Sequence, residues 1–342
     1  MESTTIAVDV AKSVFQVAVS CHPGKVSESH RLSRGKVLSF FAERRPALVL
    51  LEACGSAHYW GREIARLGHR VVLLPPGRVR PYVPRNKTDE ADAKGLLEAH
   101  RNQEILPVPV KSLAQQTLAG LHRVRSARMA DRTRRLNLAR GLLRELGLTV
   151  PVGARQVVPR VLALAEPGGE IPEPLRLELH AICEEIRELE KRIHETERHL
   201  ARLAAQLPLV KRLQTIPGIG LLTATALVAF VGDVVRFPTG RHFASFLGLT
   251  PRERSSGAIR RLGGINKQGD RYLRTLLVHG ARSALFAARR LSSPDRLRSW
   301  ALHTHQSRGH NKAVVALANK LARIVWAVWR QATDYQAAVS RH

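Results

Sequence analysis

Between Pro172-Glu173-Pro174 and Pro208 the spacing of residues leaves little choice of structure. Leu175, Leu179, Ile182, Ile186, Leu189, Ile193, Thr196, Leu200, Leu203 and Leu207 follow one another in alternating steps of four and three. This is an a/d seam with Glu, Arg and Lys outside it, and it predicts a coiled-coil helix about 50 Å long at 1.5 Å per residue. A long amphipathic helix packed on its own protein would show the same pattern. Read as a coiled coil, the seam predicts a homo-oligomer, a dimer or a tetramer. It also divides the 342-residue chain into segments that must find their cores separately.

The segment before it changes character near residue 110. Residues 5–10 and 14–19 read as two short apolar strands joined by a tight connection, with a third near 27–32. A helix follows over 36–43. Residues 47–51 form a continuous apolar run, as expected of a strand covered on both faces. A helix over 56–67, a strand over 70–74 and a helix from Thr88 or Asp89 to about Arg101 complete the block. The order is β-β-β-α-β-α-β-α. From Leu113 to Leu146 there is no proline and arginine is frequent, which predicts one long helix. After Pro208 the pattern is a series of shorter helices, in which Trp300, Trp326 and Trp329 read as helix-packing residues. The expected fold class is therefore α/β plus all-α, in three parts: residues 1–110, a helical linker and coiled coil over 111–207, and a helical domain over 208–342.

The net charge is +27, a heavy self-repulsion unless a polyanion neutralises it. It is concentrated: residues 111–145 carry +7 and residues 208–342 carry +17, while 146–207 carry −2. Nucleic acid is the expected partner. Aromatic residues make up only 5%, which favours backbone and shape recognition over stacking on aromatic platforms. Arg123, Arg125, Arg128, Arg132 and Arg135, on one predicted helix with few acids, are candidate nucleic-acid contacts. No apolar run reaches the length of a membrane span, and the first residues do not read as a secretory signal. Cys21, Cys54 and Cys183 are odd in number and widely spaced, which argues against a disulfide framework and for a reducing, cytoplasmic setting.

Four carboxylates stand where their cost must be offset. Asp9 ends an apolar strand and Glu52 directly follows the run 47–51. Asp89 and Asp92 lie three apart on a predicted helix and share a face. A carboxylate at the end of a buried strand is costly unless paired or bound to a cation. Hard oxygen ligands of this kind suit Mg²⁺, which can activate a nucleophile and steady a leaving oxygen in phosphodiester chemistry. In the C-terminal part, Ile216-Pro217-Gly218-Ile219-Gly220 before an apolar helix reads as a helix-hairpin-helix, where Gly218 and Gly220 would let backbone N–H groups approach a phosphate. Arg252, Arg254, Arg260 and Arg261 surround Ser255-Ser256-Gly257. By itself such a serine-glycine segment is a turn.

Taken together, Ile6-Ala7-Val8-Asp9-Val10-Ala11-Lys12, Leu51-Glu52-Ala53 and Asn86-Lys87-Thr88-Asp89-Glu90-Ala91-Asp92-Ala93 resemble the signature of the DEDD transposases of the insertion sequence 110 family. Residues 216–220, Phe246-Leu247-Gly248-Leu249-Thr250-Pro251, Ser255-Ser256-Gly257 and Gly269-Asp270-Arg271-Tyr272-Leu273-Arg274 resemble that family's second domain, in the same order. The resemblance implies a ribonuclease H-like (RuvC-like) first domain with Asp9, Glu52, Asp89 and Asp92 as catalytic Mg²⁺ ligands. It implies that Ser256, before the glycine, is the nucleophile that forms a phosphoserine ester with DNA, with Ser255 as the neighbour that could replace it. It further implies a structured non-coding guide RNA, so that base pairing supplies sequence specificity and the protein supplies backbone contacts. Two other readings fit the residues: a resolvase-like metal-dependent endonuclease in which water attacks, and a non-catalytic nucleic-acid scaffold. The scaffold leaves the four acids unexplained.

Overall fold

The computed structural model describes residues 4–22, 25–83, 88–257 and 259–337. The chain divides into two compact units, residues 1–116 with 231–236 and residues 117–230 with 237–342.

The first unit is built on a five-stranded sheet. Its elements are β1 (Thr5–Asp9), β2 (Val14–Ser20), β3 (Glu28–Ser33), α1 (Val37–Ala42), β4 (Leu48–Glu52), α2 (Ala57–Arg66), β5 (Arg70–Leu74), α3 (Pro76–Val79) and α4 (Asp89–Arg101). The expected strands and helices are all present, within a residue or two of their predicted ends. The short α3 after Pro75-Pro76 is additional. The strand order is β3-β2-β1-β4-β5, with β1–β2 and β2–β3 antiparallel and β1–β4 and β4–β5 parallel.

Alternation along the strands makes two cores. Ile6, Val8, Val49 and Leu51 face a cluster with Phe15, Phe41, Trp60 and Ile64, covered by α1 and α2. Ala7 and Leu50 face the opposite side, where Leu96 and Ala99 of α4 close a second cluster. The central strands are thus buried on both faces, as the unbroken apolar run 47–51 requires.

The second unit holds most of α5 (Leu113–Glu145), then α6 (Val157–Leu164), α7 (Glu173–Ala205), α8 (Pro208–Leu213), α9 (Leu221–Val231), α10 (Gly240–Phe246), β6 (Pro251–Glu253), β7 (Leu262–Ile265), α11 (Arg271–Ala288), α12 (Arg296–Arg308) and α13 (His310–Gln331). The 4-3 seam lies on α7 as far as Leu203, and Leu179, Ile182, Ile186, Ile193, Thr196 and Leu200 of it are buried within the same chain, while Leu175, Leu189 and Leu203 are half-buried. Leu179, Ile182 and Ile186 share a core with Leu136, Ala139 and Leu143 of α5 and with Val157 and Val161 of α6. The pairing of Arg125 with Glu197, Arg132 with Glu190 and Arg135 with Glu185 runs in opposite chain directions, so α5 and α7 are antiparallel. A heptad spacing states that one face is apolar. It does not state what covers that face, and around Leu179–Ile186 α5 and α6 of the same chain do so.

One buried polar group ties the second unit together. His122 of α5 is 1% exposed. Its Nδ1 lies 2.9 Å from the Tyr272 hydroxyl and its Nε2 3.0 Å from Thr225 Oγ1. Thr225 donates its own proton to the Leu221 carbonyl, so it accepts from Nε2–H and Tyr272 donates to Nδ1. Burial first, and then the Arg125 charge, depress the imidazole pKa to about 4. The unfolded chain titrates near 6.5 and takes up its proton earlier as pH falls. The stabilisation is complete above about pH 6.5 and is lost toward pH 4, by about 3 kcal/mol. Denaturant titrations at pH 7 and pH 4 are expected to show that much greater loss in the wild type than in His122→Gln.

Candidate active site

The register of the sheet brings the first two carboxylates together. Val8 of β1 pairs with Leu51 of β4 in parallel, so the next residues on each strand, Asp9 and Glu52, end neighbouring strands on the same edge. By the pleat, Asp9 shares a face with Ala7, and Glu52 with Leu50. That is the face on which α4 packs. Helix α4 starts at Asp89 and carries Asp92 one turn on, and its N-cap is Thr88, whose hydroxyl accepts from Ala91 N–H. The field at this edge is negative: the half-buried Cys54 thiol is pushed above its usual pKa by burial and then by the charges on Glu52 and Asp9.

An all-carboxylate donor set suits a hard divalent cation. Among the described residues no three acidic, histidine or cysteine side chains form a cluster that would hold a metal. The Asp89 side chain lies outside the described residues, so the fourth position of the predicted set is placed only by the start of α4.

Ser256 sits on a two-stranded hairpin that the sequence pattern did not reveal, because Pro251 and Gly263-Gly264 are poor strand formers. Strands β6 and β7 are antiparallel. Toward the tip, Arg254 N–H donates to Arg261 O, and Ser256 and Ile259 exchange backbone hydrogen bonds. Gly257, at φ +56°, makes the reversal in a conformation that favours glycine. Both serines and Arg252, Arg254, Arg260 and Arg261 are exposed. The two serines differ in partners. Ser255 Oγ donates to Glu253 Oε1 at 2.7 Å and accepts from Arg261 N–H at 3.3 Å. The Ser256 hydroxyl makes no hydrogen bond to the described residues. Glu253 also accepts from Arg260 at 3.3 Å. The Ser255 hydroxyl, and then the Arg260 charge, hold the Glu253 carboxyl below its usual pKa.

The glycine turn between α8 and α9 has a packing role at one position. Gly218, at φ +87°, lies against Gly280 of α11, and a Cβ on Gly280 would come within 2.0 Å of the Gly218 carbonyl. Gly220 faces open space.

The arginines of α5 are placed differently from a free basic face. Arg125, Arg128, Arg132 and Arg135 form a single stripe at 3-4-3 spacing, directed at α7. Arg125 meets Glu197 at 2.7 Å and Arg132 meets Glu190 at 2.8 Å, while Arg135 meets Glu185. Arg128 donates to Thr196, the one polar member of the seam, and to the Arg192 carbonyl. Only Arg123 of the five is fully exposed. Triple Arg→Gln substitution at Arg128, Arg132 and Arg135 is therefore expected to lower the melting temperature, since ion pairs at such partly exposed places contribute about 0.2–1 kcal/mol each. It is expected to change the salt dependence of DNA binding less than the same substitution at Arg252, Arg254 and Arg261, where each lost phosphate contact reduces the log–log slope by about 0.7–0.9. Thermal melts and salt titrations of both triple variants measure the difference.

No helix among the described residues is long and apolar enough to cross a membrane. Two family models match. The DEDD transposases of the IS110 type match residues 6–147, the part that carries the carboxylates. The "Transposase IS116/IS110/IS902 family" matches residues 210–300, the part that carries the hairpin. Similar proteins include a "Probable family 20 transposase" of Pseudomonas aeruginosa, 41% identical over 98% of this chain and 99% of its own length. The "Transposase for insertion sequence element IS1111A" of Coxiella burnetii is 37% identical over 97% of this chain and 91% of its own. A "Pilin gene-inverting protein" of Moraxella bovis is 34% identical over 35% of this chain and 36% of its own.

Proposed function

This chain belongs to the IS110 family of transposases, and on that footing we propose that it cuts and rejoins DNA strands of a mobile element through a phosphoserine ester. The observation that carries the reading is the β1–β4 register, which sets Asp9 beside Glu52 on the face covered by the helix of Asp89 and Asp92. The sheet order β3-β2-β1-β4-β5 supports a ribonuclease H-like domain. Asp9, Glu52, Asp89 and Asp92 would hold Mg²⁺. When bound, that ion supplies charge neutralisation and polarisation at a scissile phosphate.

The chain's own groups account for the rest. The Ser256 oxygen attacks phosphorus, the bond to one deoxyribose oxygen breaks, and that oxygen leaves as a hydroxyl with the proton. Attack by a hydroxyl of another strand reverses the step and releases the serine. The phosphodiester energy is kept throughout, so no nucleotide cofactor is needed. Arg252, Arg254, Arg260 and Arg261 orient the phosphate and offset its charge. Rejoining fits a family in which a relative is named for inverting a gene. Sequence choice would rest with a structured guide RNA, bound through the backbone by a chain rich in arginine and poor in aromatic residues. The test is incubation with a nicked suicide DNA substrate followed by a denaturing gel. A protein–DNA adduct is expected. Cleavage without any adduct would leave water as the attacking group.

A further inference from the structure

Four cations lie on or beside α13, and the carboxylate next to them in the chain, Asp295, is taken by Arg298 at 2.7 Å. Lys312, Lys320 and Arg323 lie on α13 and Arg296 opens α12. None of the four makes an ion pair with a described residue. Lys320 is half-buried, its Nζ 4.0 Å from the centroid of the Trp300 ring. Burial lowers its pKa, and the charges on Arg296 and Arg323 lower it further. Like charges crowded at a half-buried place raise the free energy of the folded chain. On α5 the same chain offsets such charges with the acids of α7. Beside α13 no described acid does so.

The space next to these cations is a cleft of about 980 Å³ between α13 and the β6–β7 hairpin. Asn319 Nδ2 donates to the Leu249 carbonyl at 3.0 Å and fixes the helix to the chain just before β6. Pro251, Ile265, Val315 and Ala316 make an apolar floor. A second hollow of about 490 Å³, lined by Thr239 and Arg241, shares Lys320 and Arg323 with the first. The cations thus stand between two hollows, an arrangement suited to a passing strand. A small inorganic anion would use the cations and waste the floor. A nucleotide uses both, with phosphate on the cations and base on the floor. A duplex keeps its base faces stacked inside, so only an unpaired strand can offer one.

We propose that this cleft holds unpaired nucleotides of the DNA strand that Ser256 attacks, with phosphates against Lys312, Lys320 and Arg323 and a base on the floor of Pro251 and Val315. The nucleotide chemistry follows from the cleft. The choice of strand rests on the proposed function, because the hairpin that walls the cleft is the one that bears Ser256.

The test uses the full-length protein and a short single-stranded oligonucleotide carrying 4-thiothymidine. Photo-crosslinks are expected on peptides from residues 312–323 and 251–265. In fluorescence anisotropy, Lys320→Gln/Arg323→Gln is expected to weaken single-strand binding about tenfold and to reduce the log–log salt slope by about 1.4, two phosphates at about 0.7 each. Ala316→Trp fills the floor without changing charge and is expected to weaken the same binding with the slope unchanged. Blunt duplex of equal length should respond less than twofold to either variant. Arg323→Gln alone, at an exposed position, replaces the double variant if that melts early. Crosslinks confined to other segments, or unchanged single-strand affinity in both variants, would overturn the proposal. Loss in the charge variant alone, matched by equal loss of inorganic polyphosphate binding, would reduce the cleft to a general anion groove and overturn it too. An RNA oligomer that crosslinks there more strongly than DNA would overturn the DNA assignment. None of these readouts needs strand cleavage, so a missing covalent adduct with intact crosslinks would refute the serine reading and leave nucleotide binding in the cleft standing.

Discussion

Asp9→Asn is expected to lower strand cleavage by a factor on the order of 10²–10³ or more, the scale of losing one group that stabilises charge at a reacting centre, while the protein melts as the wild type does. The substitution keeps the shape of the side chain and removes its charge. Asp9 is the last residue of β1, opposite Gln16 on β2, and the backbone ladder that holds it does not depend on the carboxylate. The apolar residues before it, Ile6, Ala7 and Val8, are fully buried and continue to fix the strand. What changes is the edge where Asp9 and Glu52 lie side by side, which loses half of its strand-end charge and one of the four acids proposed to hold Mg²⁺. Cleavage of a labelled DNA substrate, with Mg²⁺ and with EDTA, measures the effect. Full wild-type cleavage in EDTA, or an active Asp9→Asn protein, would remove the carboxylates from the chemistry.

The sequence carries the elements of the first unit more clearly than their arrangement. Runs such as Val49-Leu50-Leu51 and Val71-Val72-Leu73-Leu74 state that strands are covered on both faces, and Thr88 marks the start of α4. That Asp9 stands beside Glu52 depends on a parallel pairing between strands 43 positions apart, and no local pattern encodes a register of that kind. On α5, residues 125, 128, 132 and 135 share one helical stripe, and Glu185, Glu190 and Glu197 lie outside the apolar seam of α7. Both facts are visible in the sequence, yet only their juxtaposition shows that the charges cancel one another inside the chain. The surplus of arginine was therefore legible, but which arginines are left for a polyanion was not. Among those that remain exposed are Arg252, Arg254, Arg260 and Arg261 around the hairpin of β6 and β7, whose short, glycine-containing strands carry almost no strand signal. Trp300 read as a helix-packing residue. It does pack, but beneath Lys320 at the edge of a cleft that only the tertiary structure creates.

Ser256→Ala is expected to abolish the covalent protein–DNA adduct, whereas Ser255→Ala is expected to reduce it by less than about tenfold, the scale of 1.4 kcal/mol in a hydrogen-bonded support. The two hydroxyls are one residue apart, so the contrast has to come from their partners. Ser255 gives its proton to Glu253, and its oxygen is also occupied by Arg261 N–H. Glu253 would have to act as a general base for Ser255 to be the nucleophile. Its hydrogen bond from Ser255 and the Arg260 charge instead hold its carboxyl below the usual range, which makes it a weaker proton acceptor. The Glu253–Ser255–Arg261 set therefore braces the tip, and removing Ser255 loosens the mount while leaving the Ser256 oxygen in place. Ser256 is exposed beside Gly257, its backbone fixed by paired hydrogen bonds to Ile259 at 3.2 Å, and its hydroxyl is not committed to any described residue. That combination of a held backbone and an uncommitted oxygen is what an attacking group needs before its phosphate arrives. Glu253→Gln separates the cases. If Ser256 attacks, the adduct should survive in Glu253→Gln at a level near that of Ser255→Ala. If the adduct vanished in both Ser255→Ala and Glu253→Gln while persisting in Ser256→Ala, the nucleophile would be Ser255.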